Sequence, residues 1–251
     1  MSESPTQPEE HEYKIPRAYV FRGQGTSWYQ PFIYALGWIC GWLLMHLLYP
    51  LFSFQRTGTK TFPRTGGVLV VSNHQSYLDP MIVGITAPRE IHYMARETLF
   101  LGGLKQTILE NVNAFPVKRG RGDKQTIRHC VERLKAGHVV NIFAEGTRTE
   151  DGTLQPLHRS FALIVSMAQV PIVPCVIDGS FEAWPKGQKF PHWHPLRIRY
   201  GPTIRYDELK DLSGEEMARL LRVRMLELQE AMRSPHAARS RARFEAESVK
   251  V

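Results

Sequence analysis

The stretch Val68-Leu69-Val70-Val71-Ser72-Asn73-His74-Gln75-Ser76-Tyr77-Leu78-Asp79-Pro80 decides how this chain folds. The apolar, β-branched run Val68 to Val71 predicts a buried strand. The polar run from Asn73 to Pro80 therefore begins where a strand ends. In open α/β sheets, binding residues gather at the carboxyl ends of strands. Asp79-Pro80 opens a helix, since proline is tolerated in a first turn. A loop between strand end and helix start can fold back and bring His74 against Asp79. An imidazole held by a carboxylate is the working part of a general base. The pair alone is equally compatible with a loop hydrogen bond or a helix cap.

The same form recurs along the chain. Val139-Val140-Asn141-Ile142-Phe143-Ala144-Glu145-Gly146-Thr147-Arg148 is a second apolar strand running into a polar, glycine-containing loop. Between the two lies Asn113-Ala114-Phe115-Pro116-Val117-Lys118-Arg119-Gly120, a strand ending in cations. Val170-Pro171-Ile172-Val173-Pro174-Cys175-Val176-Ile177-Asp178-Gly179 is a fourth. Four such endings predict one site lined by one edge of a sheet. Helices are expected at Asp79 to Ile85, Leu99 to Val112, Asp123 to Lys135 and Ser160 to Ala168, with short strands at Ile91 to Ala95 and Leu196 to Tyr200. Ser213 and Glu216 form a capping box. The helix it opens should bury Met217, Leu220, Leu221, Met225 and Leu228.

These four blocks, in this order and spacing, resemble the glycerolipid acyltransferase family, whose best-known members are the 1-acylglycerol-3-phosphate acyltransferases. The family's N-H-x-x-x-x-D is matched by Asn73, His74 and Asp79. Its F-P-V-x-R is matched by Phe115, Pro116, Val117 and Arg119. Its F-P-E-G-T-R is matched by Phe143, Glu145, Gly146, Thr147 and Arg148, with Ala144 in the proline's place. Its V-P-I-V-P is matched by Val170 to Pro174. The resemblance covers roughly residues 55 to 205. One departure lies after the third block, where the family commonly carries a lysine followed by glycine. Here Arg159 and Ser160 stand there, and arginine meets phosphate as a planar fork rather than a point charge.

The resemblance implies an α/β fold: a mixed, largely parallel central sheet flanked by helices, with an N-terminal membrane-docking helical segment. It also implies a membrane-bound enzyme that moves a fatty acyl group from a thioester donor to the free hydroxyl of a lysophospholipid. 1-Acylglycerol-3-phosphate, giving phosphatidic acid, is the first expectation for the acceptor. The donor would be acyl-CoA or acyl carrier protein, a substrate rather than a cofactor, and no cofactor or metal is expected. His74 would take the hydroxyl proton and Asp79 would fix the ring. Arg119 and Arg148 would hold a phosphate, with Arg159 the next candidate. Glu145 would orient Arg148 or the glycerol backbone. Gly146 would permit close backbone approach, and Thr147 completes the substrate-binding loop. No serine or cysteine sits in a strand-to-helix elbow, so a covalent acyl-enzyme is not implied. Two other readings stay open: a hydrolase of acyl thioesters or lipids, and a non-catalytic lipid-binding relative.

Composition agrees. The chain has 251 residues and a net charge of +8, with a pI near 9.5, which implies an anionic partner. Nucleic acid is disfavoured, because no zinc pattern, aromatic RNA-binding signature or basic recognition helix is present. Anionic lipid fits better, since Phe32 to Phe54 carries no charged side chain. As a straight helix that run would be ~35 Å long, enough for a hydrocarbon core of roughly 30 Å. It could span, lie bent in one leaflet around Pro50, or pack as a buried helix; the resemblance favours the leaflet. The expected organisation is residues 1–31 disordered, 32–54 membrane-associated, 55–232 catalytic, and 233–251 a basic tail. Cys40, Cys130 and Cys175 are scattered and odd in number, as reduced thiols facing the cytoplasm would be. The paired His192 and His194 lack accompanying carboxylates, and His129 and His138 are expected to be structural, with His129 on an exposed helix face.

Overall fold

The computed structural model describes residues 54–100, 109, 113–117 and 124–233, with isolated helical positions at 32, 36, 39 and 43. In chain order the elements are β1 (Gln55–Thr57), β2 (Val68–Ser72), α1 (Asp79–Thr86), β3 (Ile91–Arg96), β4 (Ala114–Val117) and α2 (Lys124–Lys135). Then come β5 (Val139–Phe143), α3 (Ser160–Ala168), β6 (Ile172–Asp178), α4 (Ser180–Ala183), β7 (Arg197–Tyr200) and α5 (Gly214–Arg233). The strands form one seven-stranded sheet in the order β1-β7-β6-β2-β5-β3-β4. Every pairing is parallel except β6 with β7, so β1 and β7 run against the other five. This is the mixed, largely parallel α/β sheet expected from the sequence.

β2, β5 and β6 are wholly or almost wholly buried, as parallel strands covered on both faces must be. Their side chains alternate between two cores. Leu69, Val71, Val140, Ile142, Ile172 and Val176 pack with residues of α2, α3 and α5 on one face. Val68, Val70, Val173, Cys175 and Ile177 pack with Ile82 and Val83 of α1 on the other. Each fully buried aliphatic side chain contributes ~1.5–3 kcal/mol. Among the expected core positions of α5, Met217, Leu221, Met225 and Leu228 are buried and Leu220 is half-buried. The capping box forms: Ser213 N–H donates to Glu216 Oε2 (2.7 Å), and Glu216 N–H to Ser213 Oγ (3.3 Å). The αL glycine Gly137 (φ 87°) follows α2, where the sequence placed a stop.

Topology creates the site. β2 and β5 are neighbours, yet the chain leaves β2 towards β3 on one side and leaves β5 towards β6 on the other. Connections that depart in opposite directions open a crevice between the two carboxyl ends. The polar runs after β2 and β5 both enter it. The other two blocks lie elsewhere on the sheet. β4 is the far edge strand, beyond β3, and Pro174 sits inside β6, with only its end, Asp178, reaching the crevice edge.

Some expectations fall outside the described residues: the disordered reading of 1–31, most of the 32–54 run, most of Leu99 to Val112, Cys40, and the tail beyond 233. Of the helix expected at Leu99 to Val112, only Leu109 is described as helical, and Glu97–Leu99 is a 3-10 turn. Among the described residues no helix is long and apolar enough to cross a membrane. Cys130 and Cys175 are buried free thiols. His129 is half-buried rather than exposed, because the last turns of α2 lean into the core through Cys130, Val131 and Leu134.

Candidate active site

Asp79 begins α1 and is fully buried. A carboxylate there is favoured by the helix N-terminus. It accepts four hydrogen bonds. Its Oδ2 takes the N–H groups of Gln75 (2.6 Å) and Ser76 (2.7 Å) and the Nδ1 of His74 (2.9 Å). Its Oδ1 takes the hydroxyl of Ser180 (2.7 Å). With donors on every side, the carboxylate requires the proton of His74 on Nδ1. Nε2 is left as an acceptor, and the side chain is one-fifth exposed. The ring is stacked on Phe143 at the end of β5, centroids 4.0 Å apart and planes 20° from parallel. The imidazole is thus fixed by one hydrogen bond and one flat contact, with its basic nitrogen available.

The loops around the dyad are tied across three strands. Asn73 sits at the end of β2 with both halves of its amide on the backbone of Ile177 in β6: Nδ2 donates to the carbonyl and Oδ1 accepts the N–H, each at 2.8 Å. Ser72 Oγ donates to Asn141 Oδ1 in β5 (2.9 Å). Thr149 N–H donates to the carbonyl of His74 (2.9 Å). Gln75 reaches the Gly152 carbonyl (2.8 Å), and Ser76 Oγ donates to the Trp184 carbonyl (2.7 Å).

Glu145 is buried and turns both oxygens to backbone amides, Oε1 to His74 N–H (2.8 Å) and Oε2 to Gln155 N–H (3.0 Å). Burial pushes its carboxyl up to about 7, partly offset by those two N–H groups and raised further by nearby Asp79. The orienting task expected of Glu145 therefore falls on backbone, not on Arg148. It clamps the loop carrying the base to the loop after β5. Gly146 (φ 75°) turns that loop back, its N–H donating to the Phe143 carbonyl (3.0 Å). Thr147 is exposed.

Arg148 is half-buried, with its guanidinium carbon 3.6 Å from the centroid of the Tyr77 ring. Arg159 is exposed and engages Glu215 at the start of α5 (3.1 Å), so its charge has a partner on the helical face. Arg119 lies outside the described residues, two positions beyond the end of β4. The structure thus brings His74, Asp79, Glu145, Gly146 and the base of Arg148 together, while Arg159 forms an exposed ion pair with Glu215. Sequence reasoning missed Ser180, Phe143 and Tyr77. Tyr77 stood inside the first block, and Phe143 stood in the third; Ser180 carried no local signal.

A family model described as Acyltransferase matches residues 53–178. A 1-acyl-sn-glycerol-3-phosphate acyltransferase of Bacillus subtilis (strain 168) is 32% identical over 130 residues, covering 49% of this chain and 64% of that protein. The human 1-acyl-sn-glycerol-3-phosphate acyltransferase beta is 34% identical over 120 residues, covering 46% of this chain and 42% of that protein. The chain therefore spans less than two thirds of the length of these curated relatives. The crystal structure of the 1-acyl-sn-glycerophosphate acyltransferase PlsC from Thermotoga maritima superposes with a TM-score of 0.70 at 20% identity, covering 86% of this chain and 88% of that one. At that identity the likeness is one of fold.

Proposed function

The chain belongs to the Acyltransferase family, and on that premise we propose that it acylates the free hydroxyl of 1-acylglycerol-3-phosphate from a thioester donor, giving phosphatidic acid. The observation that carries this reading is the His74–Asp79 dyad, with Nδ1 on the carboxylate (2.9 Å) and Nε2 left as the base.

A thioester is already activated, so the step needs only a better nucleophile than a free hydroxyl. His74 Nε2 takes the proton as the hydroxyl oxygen forms its bond to the thioester carbonyl carbon. The carbon–sulfur bond then breaks, and the departing thiolate takes the proton back from the imidazolium. Asp79 holds the tautomer and offsets the transient charge. A positioned base contributes roughly 10²–10⁴ in rate, or ~3–5 kcal/mol. Arg148 supplies a cation for the acceptor phosphate, joined by Arg119 from the segment after β4. The donor is acyl-CoA or acyl carrier protein, and no cofactor takes part.

The substrate is a lipid, and the chain carries a means to reach it. Phe32, Leu36, Ile39 and Leu43 are helical and exposed. Their spacing of four, three and four places them on one helix face. That apolar face belongs in a lipid surface, with the catalytic domain on the cytoplasmic side.

The test is one panel: purified full chain, both donor types, several lysolipids, products by mass spectrometry. Phosphatidic acid is the expected product; free fatty acid alone would mean hydrolysis. His74→Ala should retain the wild-type melt and lose at least 10²-fold in kcat. A variant keeping more than a tenth of the rate would sink the general-base role.

A further inference from the structure

Arg148 carries an unmet donor at the crevice, as Arg222 near Glu145 does at Nε, but Arg222 also donates to the Leu154 carbonyl. Nη1 of Arg148 is buried with no hydrogen-bond partner, and among the described residues Arg148 forms no ion pair. Two buried carboxylates lie in the same crevice, but neither is bonded to the guanidinium. Asp79 accepts from Gln75, Ser76, His74 and Ser180. Glu145 accepts from the backbones of His74 and Gln155. The guanidinium rests instead on an aromatic face, 3.6 Å from the centroid of Tyr77. A ring attracts a cation without neutralising it. Tyr77 is itself backed by Trp184, centroids 5.4 Å apart, and Trp184 is held by its Nε1 donating to the Gln188 carbonyl (3.0 Å). The next residue after Arg148, Thr149, is bonded to the His74 carbonyl (2.9 Å), so the backbone carrying the cation is tied to the loop that carries the base.

We propose that Tyr77 is a positioning residue: its ring, braced by Trp184, holds the Arg148 guanidinium unpaired over the loop that carries His74, where it selects acceptors bearing a monoester phosphate. This rests on the acceptor reading given above. A buried donor without an acceptor is costly in the free protein. A phosphate oxygen entering the crevice supplies the missing acceptor and the countercharge together. An acceptor without phosphate leaves Nη1 unsatisfied, which turns the unmet donor into discrimination.

The experiment compares Tyr77→Leu and Tyr77→Phe with the wild type. Leu keeps bulk against Trp184 and removes the π face; Phe keeps the face and removes the hydroxyl. Tyr77→Leu should raise the KM for lysophosphatidate ~3- to 30-fold with the donor KM within about twofold. The preference for lysophosphatidate over monoacylglycerol should narrow by the same factor. Tyr77→Phe should stay within about twofold of wild type in all of these. Tyr77→Met replaces Leu if that variant melts below the assay temperature. An unchanged acceptor KM in the Leu or Met variant overturns the proposal. So does a rise in both KM values, or a Phe variant that falls as far as Leu. Calorimetry with glycerol 3-phosphate separates this from the activity itself. If the wild type transfers no acyl group, the function proposed above fails, and a weaker glycerol 3-phosphate affinity in Tyr77→Leu still supports Tyr77. Equal affinity in the two proteins overturns it.

Discussion

Glu145 shows how one residue can tie two loops of the site together. Its two carboxylate oxygens hold the backbones of His74 and Gln155, joining loops from β2 and β5. Burial raises its carboxyl from an ordinary value near 4.5 to about 7. A raised carboxyl pKa means that the folded state favours the protonated form. Its contribution to stability is fully present below about 4.5 and lost as pH climbs through about 7. Wild type should therefore weaken between pH 5 and pH 8 relative to Glu145→Gln, by up to ~3 kcal/mol. Urea midpoints of both proteins at the two pH values measure it; parallel curves would mean that the carboxyl titrates normally. The His74–Asp79 contact was legible in the sequence because both residues lie in one loop at the end of one strand. The second use of Glu145 was not, because it depends on β5 lying directly beside β2, and a local pattern carries no strand order. The exposed pair of Arg159 with Glu215 was illegible for a related reason, since it joins the loop before α3 to a helix far along the chain.

At the level of elements, the end of β6 is a join that tolerates little substitution. Gly179 has φ +86°, and an added Cβ would lie 2.0 Å from the Pro195 carbonyl oxygen. The left-handed turn lets Ser180 point back at Asp79 from the start of α4. Gly137 has nearly the same φ, +87°, with nothing within 4 Å of such a Cβ. Gly137→Ala should cost about 1 kcal/mol of backbone strain alone. Gly179→Ala should cost more than ~3 kcal/mol, since backbone must also move, and it should lower kcat by displacing Ser180. Thermal melts beside initial rates distinguish the two; equal losses would remove the argument from crowding. The apolar strands and the capped α5 were readable because burial imposes period and caps impose residue types. β1 was not: Gln55, Arg56 and Thr57 are all exposed and pair with β7 through backbone alone, leaving no hydrophobic signal.

For the whole molecule, β1 fixes where the anchor can be cut. Phe54 packs against the sheet core and Gln55–Thr57 belong to the sheet, so a truncation that spares the sheet removes residues 1–52 and no more. Removing them should shift the protein from the membrane pellet to the supernatant while leaving a cooperative melt. On the proposed docking through an apolar face, the full chain should resist a high-salt wash. Release of the full chain by salt alone would reverse that reading. The order of strands carries a further consequence, for how the chain is made. The donors to Asp79 come from residues 74 to 76 and from residue 180, and β2 is flanked by strands that follow it by about 70 and 100 positions. Protein chains emerge amino end first. The apolar run is synthesised before the sheet, and the base is completed only when β6 and Ser180 have been added on the far side of β2. A nascent chain therefore lacks a finished catalyst until most of its sheet has been made, and synthesis itself delays reactivity.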